Sequence, residues 1–421
     1  MIRYSHHSTI VASTLVSNRL IRYLKEESMG WSVAQKYGLT FHRPQHSFVG
    51  YTLVSPHSGK SVFLVDMNGQ FVHHWRFEHL LIRKVELLDS GNLLAIGVDE
   101  RLVPSEAPHF DPATGESNEP FEQRIRRIGG NCSMLCEVDW DGKIVWSHEE
   151  VAFHHDFKRL ANGNVVFPVW KELSQELSDS VAGGSSDSTG PTPPMLGDDV
   201  VEIDSAGKEI RRVETWKLLS PENDPICPLE ARAEWTHMNS VDVNEAGEIL
   251  VSCRNNSRVA IIDNSGSMKW SYGAPDTAHQ HHASWLSNGN VQIFDNGMHR
   301  KQGMSYSRVI EVDPESNEVV WSYQGNPRAQ FFSGHISGAV RLPNSNCLIT
   351  EGTSGRVLEI TAGGEPVWEW WNPVFNSSAN DGESMAFLFR AYRYPQDFAG
   401  FAGKELNPES LNELNNQYAL I

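Results

Sequence analysis

The chain of 421 residues reads as an all-β protein: a six-bladed β-propeller with four antiparallel strands per blade and a short N-terminal extension. Three observations predict this. One hairpin element recurs around an Asp turn, a second recurs around an Asn-Gly turn, and the composition, with 33 Gly and 13 Trp, is rich in turns and aromatics. The first element reads apolar–x–Asp–x–x–Gly–x–apolar–apolar–Trp. It occurs as LVDMNGQFVHHW (64–75), EVDWDGKIVW (137–146), EIDSAGKEIRRV (202–213), IIDNSGSMKW (261–270), EVDPESNEVVW (311–321) and EITAGGEPVW (359–368). Its Asp position falls at Asp66, Asp139, Asp204, Asp263, Asp313 and, in the sixth copy, Thr361. Alternating strands around such a turn make a hairpin.

The second element lies between these copies, as LLDSGNLLAI (87–96), RLANGNVVF (159–167), DVNEAGEILV (242–251), WLSNGNVQIF (285–294) and RLPNSNCLI (341–349). Two hairpins give four strands, and units 48–73 residues apart have the dimensions of propeller blades. The Trp residues that end the copies (Trp75, Trp146, Trp270, Trp321, Trp368) are expected to pack between neighbouring blades. Closure of the last blade, which removes exposed sheet edges, is expected either through MAFLFRAYRY (385–394) or through a strand near Gly50–Val54. The propeller spans 48–395, after an extension (1–47) expected to be helical and before a C-terminal tail (396–421). A Ser/Gly/Pro/Asp-rich stretch at about 174–199 reads as a mobile insertion in the third unit, and Val98–Gly130 as a second long connection.

The charge balance, 35 basic against 53 acidic residues, is net −18 and disfavours general binding to nucleic acid or anionic lipid. No apolar run approaches the length of a transmembrane helix. The five cysteines (132, 136, 227, 253, 347) have neither zinc-ribbon spacing nor a disulfide-scaffold pattern. They favour a reducing compartment, so a cytoplasmic location is expected. The alternative is organelle targeting, because the first 25 residues contain no Asp or Glu but include Arg3, Arg19, Arg22 and Lys25.

The 18 histidines are not evenly spread. His155 stands five residues before Leu160, His281 five before Leu286, His237 six before Val243 and His335 seven before Leu342. Four units thus carry an imidazole where the innermost strand of a blade begins. In a propeller those positions encircle one mouth of the axial channel, so the four rings are expected to converge on one volume.

The order HHDFKRLANGN (154–164), WTHMNSV (235–241), SCR (252–254), QHHA (280–283) and FDNG (294–297) resembles that of the arylsulfotransferases, six-bladed propeller enzymes that need no nucleotide sulfate donor. The resemblance runs from about Gly50 to Tyr394. By motif it implies catalytic roles for His155, His237, Arg254 and His281, with His281 as the nucleophile that carries a sulfuryl group between two phenols. The residue types suit that chemistry. Sulfuryl transfer, like phosphoryl transfer, relies on positioning and charge stabilisation. A neutral imidazole attacks sulfur, an Arg fork holds two sulfuryl oxygens, and a second imidazole moves the phenol proton. His282, His335 and Asn239 are expected to bind substrate.

No cofactor is expected in this reading. The expected partners are small aromatic sulfates and phenols, with a homodimer as the assembly. The clustered imidazoles also suit a transition metal held by His155, His237, His281 and His335, which would make a metal-dependent oxidoreductase or lyase the alternative. A second alternative is a non-catalytic docking platform, since a fold does not fix a function.

Overall fold

The computed structural model describes residues 37–102, 120–185, 193–301, 303–377 and 384–419. Its sheets form a six-bladed β-propeller. Blade 2 comprises Leu80–Leu87, Leu93–Asp99, Met134–Val138 and Ile144–Glu149, and blade 3 comprises Lys158–Arg159, Val165–Glu172, Leu196–Ile203 and Glu209–Val213. Blade 4 comprises Met238–Val243, Ile249–Cys253, Arg258–Ile262 and Met268–Gly273, and blade 5 comprises His281–Trp285, Val291–Asp295, Arg308–Val312 and Val319–Gln324.

Closure uses both chain ends. Blade 1 takes its innermost strand, Leu388–Pro395, from the C-terminal part of the chain and pairs it with Gly50–Pro56, followed by Ser61–Val65 and Phe71–Arg76. Blade 6 (Gly338–Arg341, Cys347–Glu351, Arg356–Ile360, Pro366–Trp371) gains a fifth, outermost strand, Gly38–His42. The two strands expected to close the last blade instead lie side by side in blade 1, and the last blade is completed by a strand from residues assigned to the extension. The helix expected in that extension falls on residues 1–36, outside the described residues, whereas its last part is a strand. The acid-free segment of the first 25 residues also lies outside them.

The insertion is partly built. A helix at Gln175–Ser180, N-capped by Ser174, and a strand at Gly183–Ser185 precede residues 186–192, which lie outside the described residues, and from Leu196 the chain is already in blade 3. The C-terminal segment docks on blade 1, where the Asn415 side chain bonds both the N–H and the C=O of Phe71 at 2.8 and 2.9 Å.

The Asp turns have a common physics. In the first four copies one oxygen of the Asp accepts two backbone N–H groups, as Asp139 does from Asp141 (3.1 Å) and Lys143 (2.8 Å). In the sixth copy the Thr361 hydroxyl accepts from Glu365 N–H at 3.1 Å, so Thr replaces Asp in kind. Gly142, at φ 88°, supplies the left-handed residue that the turn requires.

Apolar cores fill all six interfaces between neighbouring blades. Four of the copy-end Trp residues also stitch a blade to the next one's Asp turn through the indole N–H. Trp75 bonds Asp139 O (3.1 Å), Trp270 bonds Asn317 Oδ1 (2.7 Å), Trp321 bonds Ala362 O (2.8 Å) and Trp368 bonds Met67 O (3.1 Å). Blade 3 carries no Trp there, and Arg211 donates to Asp263 O instead, at 3.0 Å. The five cysteines are all free, and among the described residues no helix is long and apolar enough to cross a membrane.

Candidate active site

Innermost strands enter the sheets from one face of the disc, and the residues that begin them surround the axial opening there. Arg83 comes from blade 2, His155 from blade 3, His237 from blade 4, His281 from blade 5 and His335 from the approach to blade 6, while His57 follows the first hairpin strand of blade 1. The contacts run around the opening. Arg83 Nη1 lies 3.3 Å from His57 Nε2. The rings of His155 and His237 are 4.4 Å apart, nearly edge to face. Arg254, His237 and His335 lie near enough to His281 to disfavour its protonation, as Arg83 and His335 do for His57.

Backbone strain marks this face. His155, His237, His279 and His282 all take left-handed φ, at 58°, 50°, 55° and 45°. Each such non-Gly residue costs on the order of 1–3 kcal/mol and persists only where its surroundings over-determine it. Those surroundings are visible at His155. Its N–H donates to Gly130 O at 2.8 Å, and its ring lies so close over Gly130 that a Cβ there would stand 2.1 Å away. Near His237, the Asp198 carboxylate accepts Met238 N–H at 2.9 Å and the Thr236 hydroxyl, while its other oxygen lies 3.1 Å from His154 Nε2.

Hydrogen-bond partners assign the tautomers. His237 Nδ1–H donates to Glu234 Oε1 at 2.8 Å, while Glu234 Oε2 accepts the Trp170 indole N–H at 2.9 Å. His281 Nδ1–H donates to Asn296 Oδ1 at 2.8 Å; the Asn296 amide is oriented by donating to Ser333 O and Ile336 O. His281 Nε2 keeps its lone pair, which accepts the Ile336 N–H at 3.2 Å. His155 Nδ1 faces His154 Nδ1 at 3.1 Å. Burial, reinforced by Arg254, holds His281 well below the usual imidazole range, and burial with the neighbouring imidazoles does the same for His155. Both rings are therefore neutral at neutral pH.

Two guanidiniums face the opening in different states. Arg254 is paired with Glu230 at 2.9 Å. Arg83 donates to Asn131 Oδ1 (3.3 Å), to Asn131 O (3.3 Å) and to the Ser58 hydroxyl, and no carboxylate pairs with it among the described residues. Within a chain of net charge −18, the opening thus holds the neutral imidazoles of His155 and His281 and a partly buried cation that no carboxylate among the described residues pairs.

The structure brings His155, His237, His281 and Arg254 to one mouth, with His335 on its exposed rim. His282 and Asn239 sit deeper. A bulge between His281 and Ala283 turns the intervening His282 away, and its Nδ1 accepts Ala339 N–H at 3.1 Å. Asn239 likewise falls on the bulge between Met238 and Ser240, and its Nδ2 donates to Gln280 O at 2.8 Å. Both border a buried ionic partition across the axis, in which Asp156 takes Lys84 at 2.7 Å and Arg390 at 2.8 Å. Below it, on the face of the Asn-Gly turns, opens a cavity of about 480 Å³ lined by His282, Lys84, Arg390 and Tyr392. The alternative metal quartet does not gather as a ligand set among the described residues; the set whose donor atoms lie within 4.8 Å of one another is Cys227, His279 and His299.

Sequence reasoning missed Arg83, although its signal was present. Arg83 stands five residues before Leu88, the phase that His155 keeps to Leu160 and His281 to Leu286. His57, Glu234 and Asn296 carried no such phase.

A six-bladed propeller with imidazoles and guanidiniums around one mouth is the class that fold and site define. Residues 137–373, more than half of the chain, match the family model for arylsulfotransferase (ASST), and the chain belongs to that family. No curated protein matches the chain. Among solved structures, similar folds include a protein of unknown function from Bacteroides caccae (13% identity, TM-score 0.49, covering 82% of this chain and 98% of that one). Virginiamycin B lyase from Staphylococcus aureus shows 12% identity and a TM-score of 0.39, covering 75% of this chain and 84% of that one. At these identities and TM-scores the likenesses carry no argument.

Proposed function

We propose that this chain moves a sulfuryl group from a phenolic sulfate ester to a phenolic acceptor through a sulfohistidine on His281. The observation that carries the reading is the meeting, at one mouth, of a neutral His281 with a fixed tautomer, a carboxylate-oriented His237 and two guanidiniums. Arg83, which no carboxylate among the described residues pairs, and the Arg254 fork receive the sulfate oxygens. His281 Nε2 forms a bond to sulfur as the S–O(aryl) bond breaks. The attack requires Nε2 to give up the Ile336 N–H. The positive charge that develops on the ring is shared through Nδ1–H with Asn296 Oδ1. The departing phenolate takes the Nε2 proton of a His237 imidazolium, which solvent has protonated beforehand and whose Nδ1–H remains on Glu234. An acceptor phenol then returns a proton to His237 Nε2, its oxygen attacks sulfur and the N–S bond breaks, which restores neutral His281. The cycle is ping-pong.

The test is intact-mass analysis of the protein mixed with a chromogenic aryl sulfate and no acceptor. One sulfuryl group is expected on the native chain and none on His281→Ala. An adduct of equal yield on His281→Ala would remove the nucleophile assignment. Colour released on phenol addition without any adduct would replace the covalent route by direct transfer.

A further inference from the structure

We propose that Cys227, His279 and His299 form a site for a single divalent transition metal of the zinc class, with Glu230 beside it. The three residues come from separate places. Cys227 lies on the strand Ile226–Ala231 between blades 3 and 4, His279 precedes the innermost strand of blade 5, and His299 follows that blade's second strand. Their donor atoms lie within 4.8 Å of one another. Cys227 Sγ is 3.6 Å from His299 Nδ1, and Glu230 Oε1 is 3.4 Å from His279 Nδ1 and 3.6 Å from His299 Nδ1. Tetrahedral zinc, with bonds of about 2.3 Å to sulfur and 2.0–2.1 Å to nitrogen, places its ligand atoms about 3.4–3.6 Å apart.

An independent observation points the same way. His279 is 2% exposed, and both of its ring nitrogens are buried without a hydrogen bond among the described residues. A buried polar group left in that state costs about 1–3 kcal/mol, and a native fold normally gives it a partner. A metal bonded to one nitrogen would be that partner. One thiolate and two imidazoles form a donor set of the soft-to-borderline kind, which selects zinc over calcium or magnesium. The Cys227 thiol proton leaves to solvent as the metal binds.

Glu230 joins this site to the mouth, because its Oε1 also takes Arg254 Nη1 at 2.9 Å. It serves as the fourth ligand or holds the water in that position. The site is distinct from the mouth imidazoles, and its test does not depend on turnover.

The full chain is stripped with chelator and titrated with Zn²⁺ alone while thiol labelling is followed under native conditions. Four cysteines are buried and Cys227 is not, so one thiol per chain is expected to react. Protection of that thiol at one equivalent of zinc is expected. Cobalt(II) should show thiolate charge transfer in the native chain and none in Cys227→Ser. Glu230→Gln should weaken zinc binding about 10–100-fold while leaving one site. Labelling at an unchanged rate in excess zinc would overturn the proposal, and this needs no variant to fold. Stoichiometric zinc with a fully reactive Cys227 would also overturn it, moving the metal to the mouth histidines.

Discussion

Arg83 is the residue on which the charge balance of the mouth turns. It is held by Asn131, Ser58 and His57, all neutral or weakly basic groups, and burial lowers its pKa. For an anion drawn into the mouth this charge is open to pairing, whereas Arg254 is already paired with Glu230. Hydrogen bonds to charged groups are worth about 1.5–3 kcal/mol, so Arg83→Met should lower kcat/KM for an aryl sulfate by roughly 10–100-fold. Stability should hold or rise, because an uncompensated buried charge is removed. Urea unfolding beside steady-state kinetics checks this. A parallel loss of stability and rate would make Arg83 a structural residue. His237→Ala should cost about 10²–10⁴-fold in the rate of transfer, and least with donors whose phenolate leaves without a proton. A series of leaving groups of graded acidity reads that difference.

At the scale of elements, the repeat explains itself through two bonds. The Asp or Thr of each copy closes its own turn, and in five copies the copy-end indole or Arg211 reaches the turn of the next blade. Trp368 is fully buried at the joint between blades 6 and 1, under the Arg393 guanidinium at 4.3 Å from its ring. Trp368→Ala should therefore destabilise the protein by about 3–5 kcal/mol, measured by urea unfolding. Trp270→Phe, which loses chiefly the bond to Asn317, should cost only about 1 kcal/mol. Equal losses would mean that the N–H and not the packed ring holds the joints. The extra strand Gly38–His42 shows how an element escapes prediction. It carries no turn motif and belongs to the last blade, more than 300 residues away in the chain.

The whole molecule carries its buried imidazoles as a pH liability. Burial, chiefly, holds His155, His281 and His282 well below their ordinary value of 6.5. As pH falls through 6.5 the unfolded chain takes up protons at these rings and the native state does not, so stability declines on the acid side. Each ring contributes a slope of up to about 1.4 kcal/mol per pH unit, present until its native pKa is reached. Thermal unfolding should shift downward between pH 7 and pH 5 in the native chain, and less steeply in His282→Gln. A melting temperature flat across that range would mean that the rings are charged in the folded state.

Fold class was legible in the chain because a propeller writes its architecture locally, as short hairpins whose turn residues sit a few positions from the strands they join. Six Asp or Thr turns and five Asn-Gly-type turns were therefore readable as blades, and matched phase foretold that His155, His237, His281 and His335 approach one axis. Tertiary structure alone decided the rest. The bulges that drop His282 and Asn239 out of the mouth, the carboxylate behind His237, the neutral partners that hold Arg83 and the meeting of Cys227 with His279 and His299 all depend on how separate loops stack. The physical reason is range: periodicity records the neighbours a residue has along its own strand, whereas a site is made of neighbours across blades, whose distances no spacing in the chain encodes.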